Sequence, residues 1–500
     1  MKKIVAMLLV ILMLTVALVS CKKDENPDGS GAGNGGNVTT PISTDPNRIP
    51  PEVKDFGGYE FKFLLDQLQE DFEIQVPDEI GSDGIRKILV ERNKTVESLY
   101  NVKITQRTKV NADGYFNFLD SMDRSQEYFT DIYSRYAIKM IQQDAVAGFY
   151  LNLCELDSLR LDQTWWDQDF NNEFTINNHL YTMTGDIQVN DDLHELLTAM
   201  NLDLYNQTYP EKNFYDIVVK NGTWTFDEFY ETWYGFGSYD GGTPGVVDAS
   251  DKVGYFYDCR TASYMYMASG LKALTIENNK PVLSIQSDKA LRIMDNLKKI
   301  TDAQAGLKSS QLDHDDHYLG TEAAFNHFAA GKALFVSGLF RNVLNYCMDM
   351  EDTVVHPPFP KYDGGQDRYY SLVHGAFEPY AISSTVENPE RSALITEALA
   401  FYSDKLETEV MKVLLKERLT SELETREILQ LTLDSKVYDL EYTANIMGWT
   451  GKTNDDLFEN ESLDAYKSEM DALARAAVNG RGSGKLELFL TSYADLKFKK

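Results

Sequence analysis

The order of hydrophobic and polar positions divides the chain into recognisable elements. Tyr59-Glu60-Phe61-Lys62-Phe63-Leu64-Leu65 alternates and predicts a strand. Ile85, Ile88, Leu89, Val96 and Leu99 recur at helical spacing and predict a helix over 82–100, with a turn at Asn101 and a strand over 102–105. A helix over 115–122, a strand over 131–133 and a helix over 137–147 complete a β-α-β-α-β-α series. That series predicts a parallel sheet covered by helices, with ligands beyond the carboxyl ends of its strands.

Further along, residues 180–184 predict a strand leading to Gly185-Asp186, and the middle third reads as mostly helical with a Gly-rich break over 238–245. Thr225 to Glu228 fits a T-x-x-E capping box, with Trp224 and Phe229 at the two staple positions. Residues 333–336 predict a strand, His356-Pro357-Pro358-Phe359-Pro360 a Pro-rich crossing, and 377–382 another strand. Asn388-Pro389-Glu390 is a cap, a proline and an acid at a helix start. Helices are expected over 393–402 and 407–419, and the charged remainder reads as helical. No repeat of 20–50 residues is present.

Composition narrows the function. The chain has 500 residues, 43% of them hydrophobic, which suits two large lobes or about three domains and excludes wholesale disorder. The formal net charge of −30 argues against nucleic acid as a partner and against broad adsorption to anionic lipid. The N-terminus is a short basic Met1-Lys2-Lys3 followed by an apolar run to Ser20 and then Cys21, the layout of a secretory signal peptide over 1–20. Leu18-Val19-Ser20-Cys21 resembles a bacterial lipobox and implies cleavage before Cys21 and lipidation of its sulfur. Residues 22–55 carry no aromatic side chain, so 21–55 are expected to form a lipidated, flexible tether, with folded sequence from Phe56. Cys154, Cys259 and Cys347 read as buried small hydrophobes, with a single disulfide left open.

Several motifs, in order, resemble the extracellular solute-binding proteins of ABC importers, the carbohydrate-type family 1 group. Glu91-Arg92-Asn93 lies in a segment similar to the first helix of their lobes, and Trp165-Trp166-Asp167-Gln168-Asp169-Phe170 with Tyr181 to Asp186 is similar to their crossing region. Gly222-Thr223-Trp224-Thr225-Phe226-Asp227-Glu228-Phe229 resembles their G-x-W-T-x-D-E-F helix start. Ala324-Phe325 with Gly331-Lys332-Ala333-Leu334, and Pro358-Phe359-Pro360-Lys361 with Tyr380-Ala381-Ile382-Ser383, continue the likeness over about 56–450. The resemblance implies an α/β, two-lobe periplasmic-binding-protein-like fold (type II), with discontinuous lobes joined by crossing strands. It puts lobe one at 56–187 plus 356–382 and lobe two at 188–355 plus 383–500. Asp191-Asp192-Leu193-His194-Glu195 is more charged than the pattern leads one to expect, and Tyr205-Asn206 follows it.

The implied function is a monomeric, lipid-anchored receptor on the outer face of the cytoplasmic membrane. It would bind a small solute, an oligosaccharide first of all, and hand it to a permease without chemistry or cofactor. Sugars need aromatic faces and charged or amide hydrogen-bonding groups. The candidate binding residues are Trp165 and Trp166 as a stacking platform with Asp167; Asp186, Asn190 and Asp191 at the crossing; and Tyr133 and Arg135 after a first-lobe strand. Tyr257 and Asp258 on a second-lobe strand, Arg341 after the 333–336 strand, and Trp449 in a late loop complete the set. Trp224 and Trp233 read as core. Asp313-His314-Asp315-Asp316-His317 reads as a solvated acidic loop, and no metal site is expected. No nucleophile elbow, P-loop or dinucleotide fingerprint is present. A two-carboxylate glycoside hydrolase, a ligand-sensing lipoprotein, and a receptor for cationic peptides or polyamines stand as alternatives.

Overall fold

A computed structural model describes residues 48–66, 84–109, 112–237, 251–257, 260–278, 280–283, 287–301, 306–308, 317–347, 349–406, 423–446, 472 and 485–494. Cys21, the 1–20 segment, Asp258, Cys259, Asp313 to Asp316, the 407–419 segment and Trp449 lie outside these residues.

The opening series folds as its pattern predicts. β1 (Tyr59–Asp66) pairs in parallel with β2 (Val102–Lys109) and with β3 (Ile132–Ser134). Helices Gly84–Tyr100 and Ala112–Ser125 connect the three strands. β12 (Tyr380–Ile382) adds to β3 in antiparallel fashion, giving the order β12-β3-β1-β2. The expected strand over 180–184 is reduced to one bridge, Met183 to Tyr380, because this stretch touches the edge of β12 at a single residue before leaving the sheet.

The middle third differs from the helical expectation. It builds a second sheet from β4 (Leu196–Asn201), β5 (Val253–Tyr257), β8 (Gly306–Lys308), β9 (Ala333–Leu339) and β10 (Val354–Val355), in the order β10-β4-β9-β5-β8. The strands expected at 333–336 and at Tyr257 form as β9 and β5, whereas all six residues of β4 are buried, so its sequence carries no alternation to betray a strand. β6 (Leu274–Glu277) and β7 (Lys280–Leu283) form a hairpin, and β11 (Ser371–Leu372) pairs in parallel with β13 (Lys436–Val437).

Each sheet carries its own core. Phe61, Phe63, Ile104 and Ile132 of the first sheet pack with Phe170, Ala398, Leu399, Tyr438, Phe489 and Tyr493. Phe335, Tyr255 and Met200 of the second pack with Trp224, Phe229, Trp233, Phe359 and Tyr369. Two boundaries therefore move. Helices Pro389–Phe401, Leu440–Ala444 and Lys485–Ala494 complete the first core instead of extending the second, and 356–372 sits with the second. Half of the expected capping box forms: Thr225 Oγ1 accepts from Glu228 N–H and the Trp224 and Phe229 rings meet at 5.5 Å, while the Glu228 carboxylate pairs with Lys212 at 2.7 Å. Asn388 caps its helix through Arg391 N–H at 3.0 Å.

The tryptophan pair has a structural task. Trp165 and Trp166 are each 1% exposed, so neither offers a face to a ligand, and the expected stacking platform is corrected. Their indole N–H groups donate to the two oxygens of Glu397 at 3.1 and 2.8 Å, and Arg160 Nε donates to the same carboxylate at 2.7 Å. The guanidinium groups of Arg48 and Arg160 lie 5.1 and 4.8 Å from the Trp165 ring centroid. Arg48 also pairs with Asp186 at 3.0 Å, so the stretch expected as a tether up to residue 55 already makes a folded contact before Phe56. Gly185 makes this packing close: its φ is +144°, and a Cβ there would lie 2.4 Å from the Trp165 carbonyl oxygen. Gly185→Ala is expected to lower stability by about 2–4 kcal/mol, measured by denaturant unfolding.

Candidate functional site

Three segments run between the two sheets, and they are stitched side by side. The first follows Met183 through the short helix Asn190–Leu193 into β4. The second runs from β11 to β12, and the third from β13 to the helix Leu440–Ala444. Glu195 bridges to Val373, His374 N–H donates to His194 O at 2.8 Å, and Val373 N–H donates to Val437 O at 3.0 Å. Asn190 Oδ1 accepts from Glu378 N–H at 3.0 Å.

The unusually charged 191–195 run finds its explanation here. Lys436 Nζ lies 3.1 Å from Asp167 Oδ2, 3.2 Å from Asp191 Oδ2 and 2.8 Å from Asp192 Oδ1. The Tyr438 hydroxyl is 2.8 Å from Asp191 Oδ2 and 3.0 Å from Asp167 Oδ2, and donates to one at a time. Burial works against the Lys436 charge, yet Asp191, Asp192, Tyr438 and Asp167 together hold its pKa well above the ordinary value. Burial, reinforced by Asp192 and Asp167, pushes Asp191 up to about 6 against the pull of Lys436. Burial likewise holds fully buried Glu195 well above the carboxylate range, although Lys436 opposes it. Next to this group His194 donates from Nδ1 to Asn190 O at 2.7 Å, which leaves Nε2 to accept from Arg341 Nη1 at 3.4 Å. Burial, with the Arg341 charge, lowers His194 to about 4, so it stays neutral.

A cavity of about 270 Å³ opens beside this junction. One wall is the helix Gln168–Phe174, whose Phe170 and Phe174 belong to the first core. The opposite wall is the end of the helix Thr261–Ala268 and the turn after it, Met267 to Lys272, together with Arg368 and Tyr370. Val437, Tyr438 and Asp439 close its back. Two ion pairs cross from wall to wall: Lys272 with Glu173, and Arg368 Nη2 with Asp169 Oδ2 at 3.9 Å. The Arg368 guanidinium lies 4.9 Å from the Tyr370 ring centroid. Gly270, at φ +76°, lets that ring approach: a Cβ there would stand 2.9 Å from Tyr370 Cε2.

The sequence candidates divide accordingly. Asp167, Asn190, Asp191 and, through His194, Arg341 meet at the junction. Asp186 sits apart with Arg48. Tyr133 and Arg135 are buried in the first lobe instead of facing a cleft: Tyr133 stands in β3, and Arg135 Nη1 pairs with Asp144 at 3.4 Å over the Tyr115 ring. Tyr257 is buried in β5, 5.8 Å from the Tyr255 ring. The Trp165–Trp166 pair is core. Sequence reading missed Lys436, Tyr438, Glu173, Lys272, Tyr370 and Asp439. The one local signal was the excess of acids over 191–195, which demanded a cation from elsewhere in the chain.

No protein-family model matches the sequence, and no curated protein matches it. Solved structures do share its fold. A cyclo/maltodextrin-binding protein, crystallised with maltotetraose, aligns at 13% identity and a TM-score of 0.56, over 84% of this chain and 98% of that one. The galacto-N-biose/lacto-N-biose I-binding protein of an ABC transporter from Bifidobacterium longum, in complex with lacto-N-biose, aligns at 10% identity and 0.53, over 86% and 99%. An ABC transporter-associated binding protein from B. animalis subsp. lactis, in complex with beta-1,6-galactobiose, aligns at 12% and 0.51, over 85% and 99%. The architecture is thus the two-lobe, type II α/β fold of solute-binding proteins.

Lys436→Met leaves three acids around an apolar side chain and is expected to cost about 3 kcal/mol at pH 7. The loss should shrink toward pH 4. Asp191 has a raised folded-state pKa, so its protonated form is favoured in the fold, and removing the ammonium costs least once it is protonated. Urea unfolding of both proteins at pH 4, 5.5 and 7 measures this.

Proposed function

We propose that the protein is a solute-binding receptor that captures an oligosaccharide between its lobes and delivers it to an ABC import permease. The observation that carries this reading is the cavity at the three-strand junction, walled by both lobes and furnished with tyrosines, acids, a lysine and an arginine. Tyr370 offers an aromatic surface for the C–H face of a pyranose ring. Asp169, Asn172, Glu173, Lys272 and Arg368 offer hydrogen bonds to hydroxyls, the charged ones being the stronger. The fold shared with oligosaccharide-binding transporter proteins supports the same reading.

The receptor does no chemistry. A ligand that touches both walls binds the closed arrangement better than an open one, and this differential affinity draws the lobes together. It acts as a monomer, tethered by lipid on Cys21 to the outer face of the cytoplasmic membrane. The basic, apolar and Leu18-Val19-Ser20-Cys21 sequence supports that anchor. Among the described residues, no helix is long and apolar enough to cross a membrane.

Titration calorimetry against a panel of malto-, galacto- and manno-oligosaccharides is expected to give saturable binding of at least one, with the sugar recovered intact. Tyr370→Ala should weaken that binding about five-fold, equivalent to about 1 kcal/mol. Absence of binding across the panel, or a cleaved sugar, would refute the receptor. The Cys21→Ser variant is expected to lose incorporation of labelled fatty acid and to move from the membrane fraction to the medium. Retention of label would place the lipid elsewhere.

A further inference from the structure

Between Ala273 and Leu274 the chain passes from one core to the other. Met267, Ala268 and Ala273, at and after the end of the helix Thr261–Ala268, are buried in the second core. Leu274, the next residue, is fully buried in the first core, and Ile276 packs against that same core. The two stand two residues apart on β6 and so share one face of the strand, while Thr275 and the exposed Glu277 fall on the other. This alternation turns the apolar face of β6 toward the first lobe, where the strand packs on the helix Leu440–Ala444. β7 then leads back to the helix Asp288–Thr301, whose Ala290, Leu291 and Ile293 belong to the second core again. The hairpin is a finger rooted at both ends in the second lobe, with its apolar face in the first.

A polar contact lies beside the apolar one. Lys272, two residues before Leu274, pairs with Glu173 of the first-lobe helix Gln168–Phe174. The other oxygen of Glu173 accepts from Leu440 N–H at 2.8 Å. Ion pair and apolar seat therefore meet the start of the same first-lobe helix. The three crossings join the lobes through backbone, which a hinge can bend. The finger joins them through side-chain packing and one ion pair, and these have to break when the lobes part. Packing of this kind is short-ranged, since a gap of about 1 Å already forfeits up to about half of the attraction between two atoms. The contact is therefore either seated or lost, with little between.

We infer that the β6–β7 hairpin is a strap that holds the two lobes together in the ligand-free protein, with Leu274 as its seat and the Lys272–Glu173 pair as its clasp. Opening requires Leu274 to leave the first core, so the resting molecule is closed and the strap controls how often the space between the lobes is accessible. The inference goes beyond the receptor reading and stands on the two-lobe architecture, whatever the solute.

Small-angle X-ray scattering of the purified, ligand-free protein tests it. The wild-type chain is expected to scatter as the closed arrangement. Leu274→Ser should raise the radius of gyration by about 1 Å, on the roughly 23 Å of a compact chain of this length, with the far-UV circular dichroism unchanged. Lys272→Met keeps the apolar seat and should give a smaller rise; Glu277→Gln, on the opposite face of the strand, should give none. Hydrogen exchange locates the change: in Leu274→Ser the amides of Leu440–Ala444 should exchange at least ten-fold faster, while those of β4 and β9 keep their wild-type rates. Should Leu274→Ser not fold, the double variant Leu274→Ala/Lys272→Met, which retains an apolar side chain at the seat, carries the same expectation. An open wild-type molecule in the absence of ligand, or folded strap variants whose scattering superimposes on the wild type, would overturn the inference. Neither result touches the receptor reading, which sugar calorimetry tests by itself.

Discussion

The arrangement of the whole molecule turns on one shared ammonium. Lys436 reaches Asp167 at the head of the Gln168–Phe174 helix and Asp191 and Asp192 on the first crossing, while its own backbone belongs to the third. Three carboxylates within hydrogen-bond distance of one point would repel each other strongly in a poorly hydrated setting. A single lysine makes them a tie among segments more than 200 residues apart in sequence. Since the second crossing is laced to both others by backbone hydrogen bonds, fixing this one ammonium fixes the junction. The junction in turn sets how the walls of the cavity face each other.

A buried ion cluster of this kind is not a cheap source of stability, because desolvation consumes much of the Coulombic gain. Its value is geometric. Asp191 and Glu195 are both disfavoured as anions by burial, and the cluster holds together only while the crossings stay in register with Lys436. The Glu397 group plays the same part at the outer end of the first crossing, where a buried carboxylate gathers two indoles and an arginine. Both groups convert a polar cost into a unique alignment. The apolar cores on either side could tolerate small slips that these charges do not.

Local pattern made much of the first lobe legible. The alternation in β1, the 3.6-residue spacing in Gly84–Tyr100 and the cap at Asn388 each satisfy a rule that operates within a few residues. The Thr225 cap and the staple contact beside it explained Trp224 without any ligand. The same local logic failed for β4, because a strand buried along its whole length shows no alternation to tell it from helix. It failed for the tryptophan pair, since nothing near Trp165 announces that Glu397 will meet it 232 residues later. For the same reason the sequence pointed to part of the junction but to no residue that lines the cavity. Asp167, Asn190 and Asp191 stood in a conspicuous stretch, whereas Lys436, Tyr370 and Asp439 acquire meaning only from partners across the junction.

The first core also constrains how the molecule comes into being. It joins Phe61 and Phe63 to Phe489 and Tyr493, with Phe170, Leu399 and Tyr438 between them in the chain. A nascent chain, made from its N-terminus, can pair β1, β2 and β3 early but leaves part of their apolar flank uncovered until Phe489 and Tyr493 are available. Closing loops of that length is slow, and the exposed flank is the surface that chaperones recognise and that aggregation exploits. The strands of the second sheet all fall between residues 196 and 355, though its core also takes Ile428 and Tyr442. The first half therefore waits longer, for residues 485–494, than the second, whose latest core residue among those described is Tyr442.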